Sequence, residues 1–164
     1  MIITDRPIRL ALVGCGRISR NHFDAMAKVD GLELVAVCDA VAERAQAAAE
    51  QQRVPAYTNL DEMLAQVDCD AVVIATPSGL HPQHGITVAR AGKHVIAEKP
   101  MAITLHAADA LVQACDDAGV RLFVVKQNRL NPPIQLLRRA IDKGRFGKLF
   151  LANCTVRWTR PQDY

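Results

Sequence analysis

Aromatic residues are scarce: Phe, Trp and Tyr make up 4% of the 164 residues, although hydrophobic residues as a group reach 50%. The apolar mass is therefore Ala, Val, Ile and Leu. That usage suits helices packed closely on a buried parallel sheet better than a β-sandwich. The chain also lacks any run of Lys or Arg and any interleaving of basic with aromatic residues. With a net charge of only +3, this argues against a nucleic-acid groove. No two of the five cysteines (Cys15, Cys38, Cys69, Cys115 and Cys154) have C-x-x-C spacing, and their number is odd. A disulfide scaffold and a structural zinc site are thus poor readings, and a reducing compartment is the better one. No apolar run reaches membrane-spanning length, and the opening residues MIITDRP lack a basic segment followed by a long apolar stretch. The expectation is a cytoplasmic protein that engages no membrane.

What is present is globular composition, with 23% charged residues and ample core material. Apolar runs alternate with helical periodicities. Ile8 to Gly14 reads as a buried strand, and Arg17 to Val29 as a helix with Ile18, Ala25, Met26 and Val29 on one face. Leu32 to Cys38 reads as a strand, Ala40 to Gln52 as an Ala-rich helix, Ala56 and Tyr57 as a short strand, and Asn59 as the cap of a further helix. Ala71 to Ala75 is another strand, followed by the loop Thr76-Pro77-Ser78-Gly79 and a helix with Pro82 in its first turn and Gly92 past its end. His94 to Ala97 and Val120 to Val125 complete the strands. Between them runs a Thr104-capped helix with Leu105, Ala108, Leu111, Val112 and Cys115 as its apolar face. This order predicts a doubly wound α/β sheet of strand order 3-2-1-4-5-6, a Rossmann-type arrangement, over residues 1–126. Residues 127–164 predict a connecting helix, capped by Asn131 and opened by Pro132 and Pro133, then a strand from Leu149 to Trp158. That strand has no partner left in the chain. The expectation is the start of a second α/β domain that is cut short, with the strand unpaired or borrowed between molecules.

Gly14-Cys15-Gly16-Arg17-Ile18-Ser19 lies between the first strand and the first helix. This is G-x-G-x-x-S, with Ser19 where a dinucleotide fingerprint has Gly or Ala. The first Gly permits the turn, the second lets backbone approach a pyrophosphate, and the helix N-terminus offers N–H groups and a positive dipole end. Gly14, Gly16, Arg17 and Ile18 are therefore candidate cofactor contacts. Asp39 closes the second strand where the adenine ribose is expected, and its carboxylate favours NAD over NADP by repelling a 2′-phosphate. The competing reading of Asp39 is a cap for the next helix. Thr76-Pro77-Ser78 and Glu98-Lys99-Pro100 follow two core strands at their carboxyl ends, the edge where open α/β sheets place ligands. His81 and His84 share a helix face but have no Cys or carboxylate cluster beside them, so no metal site is expected.

These residues together resemble one family. Gly14-Cys15-Gly16, Asp39, Ala75-Thr76-Pro77 with Leu80-His81, Ala91-Gly92-Lys93-His94-Val95 and Glu98-Lys99-Pro100-Met101-Ala102 look like the Gfo/Idh/MocA oxidoreductases. The resemblance implies a nucleotide-binding domain followed by a C-terminal domain with an open sheet, through which intact members form homo-oligomers. It implies that Lys99 contacts both the reacting hydroxyl and the nicotinamide ribose. Thr76, Pro77 and Ser78 would lie along the nicotinamide half, and His81 and Glu98 would shape that pocket. The stretches Val125 to Pro132, Gly144 to Gly147 and Trp158 to Pro161 are similar to one subgroup. It comprises the UDP-N-acetylglucosaminuronate 3-dehydrogenases of bacterial lipopolysaccharide sugar synthesis, which act on a nucleotide-sugar. The resemblance makes Asn128 and Arg129 candidate substrate contacts, with Arg157 and Arg160 as further cationic groups. The family's second acid/base group would lie beyond Tyr164, so residues 1–164 alone are expected to bind NAD without turnover. An inositol or aldose dehydrogenase is the alternative within the family, and an NAD-binding module is the alternative outside catalysis.

Overall fold

The computed structural model describes residues 3, 5–159, 161 and 162. Arg160, one of the cationic candidates, lies outside the described residues. The chain divides into two compact units, one running through Val125 and the other starting at Lys126.

The first unit contains β1 (Ile8–Val13), α1 (Ser19–Met26), β2 (Leu32–Cys38), α2 (Ala42–Gln52), β3 (Ala56–Tyr57), α3 (Leu60–Gln66), β4 (Ala71–Ile74), α4 (His81–Arg90), β5 (His94–Ala97), α5 (Leu105–Asp117) and β6 (Leu122–Val124). The six strands form one sheet of order β3-β2-β1-β4-β5-β6, and every pairing is parallel. Strand β1 is the centre, with Leu10 opposite Leu34 on one side and Ala71 on the other.

Side chains alternate between the two faces of a strand, and here both faces are covered. One face buries Ala11, Val13, Val72 and Ile74 with Met63 of α3, Val88 of α4 and Leu111 and Cys115 of α5. The other buries Leu12, Val37 and Val73 with Phe23 of α1 and Ala48 and Ala49 of α2. Double coverage is why the strands read as largely apolar runs, broken only near the starts of β1 and β2 by Arg9 and Glu33 and at the start of β5 by His94. The small side chains of α2 explain how a helix packs this close without aromatic filler.

Several local expectations change. Helix α1 starts at Ser19, and its buried apolar side chain is Phe23, whereas Ala25 and Val29 are exposed. Helix α2 starts at Ala42 because the Asp39 side chain first closes a turn onto the Val41 N–H. The caps Asn59 and Thr104 accept from Glu62 and Ala107 as expected. On α5, however, Leu105 is 85% exposed and only Leu111 and Cys115 are buried.

The second unit contains a 3₁₀ turn (Gln127–Leu130) and α6 (Pro132–Asp142). Asn131 precedes α6, but its side chain donates to Asn128 Oδ1 at 3.4 Å and makes no capping bond. Residues 149–159 form no strand, with Leu149, Phe150, Leu151, Val156 and Trp158 all at least half exposed. A strand needs a neighbouring edge to pair with, and residues 149–159 are paired with none.

One charge pair fixes the entrance to the sheet. Arg6 reaches Asp70 through two N–H donors, each at 2.7 Å, and the Arg9 N–H donates to the same carboxylate at 2.7 Å. These donors hold the Asp70 carboxyl at about 2, below its ordinary range. The folded state therefore binds this proton more weakly than the unfolded chain. The stabilisation is complete above the ordinary carboxyl range and fades as pH falls from about 4 towards 2. Asp70→Asn is expected to lower the urea midpoint at pH 7, by roughly 1–2 kcal/mol of stability. It should also flatten the acid limb, as measured by circular dichroism at stepped pH.

Candidate functional site

The sheet order reverses beside β1, so the carboxyl ends of β1 and β4 open onto a crevice. The turn 14–18 leaves β1 there. Gly14 has φ +97°, and a Cβ built on it would lie 2.6 Å from Ala75 C and Thr76 N. Only glycine lets this turn press against the strand-to-loop exit of β4. Gly16 is the opposite case: a Cβ there would meet nothing within 4 Å. The turn is thus backed by protein at its first glycine and open at its second, on the approach to α1. Ser19 ties the turn down through Oγ, which donates to Gly16 O at 2.6 Å.

Asp39 is 9% exposed. Its Oδ2 accepts from the Cys15 N–H and its Oδ1 from the Val41 N–H, both at 2.8 Å. The carboxylate joins the glycine turn to the start of α2, so the structural role weighed from sequence is real. The role does not exhaust the group, because an ionised carboxylate accepts about four hydrogen bonds. Burial, with the charge of Asp39 adding to it, pushes the Cys15 thiol up to about 12. Cys15 therefore stays a thiol at neutral pH and is no nucleophile.

A cleft of about 480 Å³ runs along this edge. Gly14, Gly16 and Asp39 line it. Val41, Arg44, Leu60, Thr76, Pro77 and His84 line it as well. An open glycine, a helix N-terminus and a carboxylate with spare acceptor capacity, in one cleft, fit a dinucleotide. Gly14, Gly16, Arg17 and Ile18 would hold its pyrophosphate, Asp39 a ribose, and Thr76 and Pro77 its other half. Ser78 sits exposed in the 3₁₀ turn Ser78–Leu80 just beyond.

Glu98, Lys99 and Pro100 leave β5. Glu98 is 8% exposed; its Oε1 lies 2.9 Å from His22 Nε2, and its Oε2 accepts from the Lys99 N–H at 3.1 Å. The buried carboxylate anchors the backbone of Lys99, whose side chain is exposed. His81 is 1% exposed, with both ring nitrogens on backbone carbonyls, so it supports the wall from behind. His84 Nδ1 lies 3.1 Å from Thr76 Oγ1, and burial, with His81 nearby, holds its pKa below the ordinary imidazole range.

Two contributors were not legible in advance. His22 is one helical histidine with no motif around it, and only the packing of α1 brings it to Glu98. His84 was considered only as a metal ligand. Among the described residues no cluster of three His, Cys, Asp or Glu side chains is placed to hold a metal. Asn128 and Arg129 belong to the second unit, where both are exposed in the 3₁₀ turn.

Known proteins share this architecture. Residues 8–126 match the model of an oxidoreductase family with an NAD-binding Rossmann fold. The WlbA dehydrogenase from Bordetella pertussis, solved in complex with NADH and UDP-GlcNAcA, superposes with a TM-score of 0.96 at 54% identity, over 99% of this chain and 47% of that one. The WlbA enzyme from Chromobacterium violaceum, with the same two ligands, gives a TM-score of 0.96 at 50% identity, again over 99% and 47%. The D-apiose dehydrogenase of Paraburkholderia graminis is 40% identical over 148 residues, 90% of this chain and 40% of its own length. The chain thus spans less than half the length of these relatives. With the glycine turn, Asp39 and the Glu98-Lys99-Pro100 loop all on one sheet edge, the chain belongs to the Gfo/Idh/MocA family of oxidoreductases, through its NAD-binding Rossmann fold.

Proposed function

We propose that the chain is the cofactor-binding unit of an NAD-dependent dehydrogenase that oxidises a hydroxyl of a nucleotide-linked sugar acid, C3 of UDP-N-acetylglucosaminuronate. The observation that carries the reading is the exposed Lys99 on a backbone pinned by buried Glu98, at the same sheet edge as the dinucleotide cleft. Its narrower part rests on the likeness to the two enzymes solved with UDP-GlcNAcA.

In this reading the nicotinamide, when bound, accepts hydride from the carbon that carries the reacting hydroxyl. Lys99 binds that hydroxyl through Nζ and takes up its proton as the carbonyl forms. Glu98 keeps the Lys99 backbone in place, and Thr76 and Pro77 exclude water along the loop opposite. Asn128 and Arg129 contact the substrate, and the Arg fork suits a carboxylate or phosphate. The domain that follows carries the remaining substrate groups and the surface for self-assembly, and the product feeds lipopolysaccharide sugar synthesis.

NADH formation by the full-length protein tests the substrate. UDP-N-acetylglucosaminuronate is expected to be used in preference to UDP-glucuronate, myo-inositol and glucose. Preference for a free aldose would favour the alternative, an aldose dehydrogenase, to which the likeness to D-apiose dehydrogenase points. With the acid as substrate, Arg129→Ala should lower kcat/KM; no change would return Arg129 to the solvated surface.

Cofactor choice is a separate expectation. The Asp39 carboxylate accepts from ribose hydroxyls and repels a 2′-phosphate, so NAD should bind more tightly than NADP. Asp39→Ala also removes the acceptor of two backbone N–H groups, so some loss of stability accompanies it. The decisive readout is the ratio of the two affinities by calorimetry. It should move towards NADP by about tenfold, or roughly 1.4 kcal/mol. An unmoved ratio would leave Asp39 as a brace for the turn alone.

A further inference from the structure

Lys99 stands where the hydrogen bonds of the sheet give out. The Glu98 N–H still belongs to the sheet and donates to Ile74 O at 3.0 Å. The Lys99 N–H donates instead to Oε2 of the side chain just before it, Glu98, at 3.1 Å. A bond between neighbours in sequence closes a local ring, but it does not locate that ring in the molecule. The other carboxylate oxygen does. Glu98 Oε1 lies 2.9 Å from Nε2 of His22, a residue 76 positions away in the chain.

The His22 and Glu98 side chains are only 15% and 10% exposed. Little water competes for the contact, so the carboxylate depends on its protein donors. A carboxylate only accepts, and a ring with hydrogen on Nε2 donates to it whether that ring is neutral or charged. His22 stands on α1, one turn beyond Ser19, whose Oγ ties down Gly16. The helix that turns its N-terminus to the dinucleotide cleft therefore also carries the donor for Glu98. Helix α1 covers one face of the sheet. From α4, on the other face, His81 Nδ1 lies 2.8 Å from the carbonyl oxygen of Pro100. Lys99 thus sits between contacts from both helical layers, and His22 supplies the one that reaches its own N–H through Glu98.

We propose that His22 is a positioning residue for Lys99: it tethers the Glu98 carboxylate to α1, and the carboxylate holds the Lys99 backbone. The glycine turn and Lys99 are thereby referred to one rigid helix. The effect on turnover rests on the reading of Lys99 given above; the tether itself does not.

Three substitutions in the full-length protein separate the tether from mere packing. His22→Leu keeps apolar bulk and has no donor. His22→Gln offers an amide N–H near the place of Nε2, and His22→Asn is too short to bring one there. His22→Leu should lower kcat by roughly tenfold or more, the scale of a displaced catalytic group, while the Kd for NAD changes by less than about threefold. His22→Gln should recover most of the loss. Unchanged kcat in folded His22→Leu, or a loss that His22→Gln does not recover, would overturn the positioning role. If His22→Leu does not fold, His22→Gln against His22→Asn decides: the first should turn over faster, and equal rates would overturn the role. The second measurement is hydrogen exchange of the Lys99 amide by NMR. It should be about tenfold faster in His22→Leu, or in His22→Asn if that is the variant that folds, and near the parent rate in His22→Gln. Unchanged exchange would overturn the tether whatever Lys99 does. If Lys99→Met itself keeps full turnover, the proposed chemistry fails, and the tether still stands or falls by the exchange result.

Discussion

Gly14→Ala is expected to abolish normal folding, and Gly16→Ala to leave the fold intact while cofactor binding is lost. The two glycines lie two residues apart in one turn, and their surroundings differ completely. A methyl group on Gly14 would stand 2.6 Å from Ala75 C and Thr76 N and 2.7 Å from Ala75 O. These are backbone atoms of a buried strand exit and cannot swing aside as a side-chain tip does. The positive φ of Gly14 adds strain for any residue with a Cβ. Together these place the substitution in the exceptional class of roughly 4 kcal/mol or more, a large part of the ~5–15 kcal/mol that holds a domain folded. Insoluble protein, or a urea midpoint lowered by about half, is the expected outcome. At Gly16 the added methyl meets no protein atom within 4 Å. Its thermal midpoint should match the parent, while the Kd for NAD rises by about tenfold or more. A Gly16→Ala variant that binds NAD normally would remove the turn from pyrophosphate binding.

Lys99→Met should lower kcat by about 10²-fold or more in the full-length enzyme, the scale of a lost general acid/base contact. The side chain is exposed, so its removal leaves no cavity. The backbone anchor survives, because Glu98 accepts from the N–H of residue 99 and not from its side chain. Fold and NAD affinity should therefore be nearly unchanged, which separates loss of chemistry from loss of structure. The measurement is steady-state NADH formation with UDP-N-acetylglucosaminuronate beside a calorimetric NAD titration. A kcat within a few-fold of the parent would take Lys99 out of the reaction.

The parts of this molecule legible in its sequence are those dictated by short-range rules. The runs Leu32 to Cys38 and Ala71 to Ala75 announce strands buried on both faces, and Gly14-Cys15-Gly16 announces a turn into a helix. Strand order followed from that alternation and matches the sheet. What was not legible depends on contacts between distant residues. His22 meets Glu98 only because α1 packs beside the exit of β5. The two carbonyl partners of His81 lie five residues before it and nineteen after it. Leu105 has the periodicity of a core residue yet is 85% exposed, and no periodicity encodes whether a neighbour is there to cover it. Asp39 shows a third case: cap and ligand group were weighed as alternatives, whereas the structure gives it the bracing role and leaves acceptor capacity over.

The central place of β1 has a consequence for the order of events during synthesis. Ile8–Val13 leaves the ribosome before either strand it pairs with, and one of its flanks is satisfied first by Leu32–Cys38. The other flank waits for Ala71–Ile74. Until then this central strand has a bare edge, the kind of surface that captures other nascent chains. Among the four interior strands, the one that ends in the glycine turn thus waits across the longest stretch of chain for its second neighbour. Substitutions that raise its stickiness should show first as poor yield, before any change in the finished enzyme.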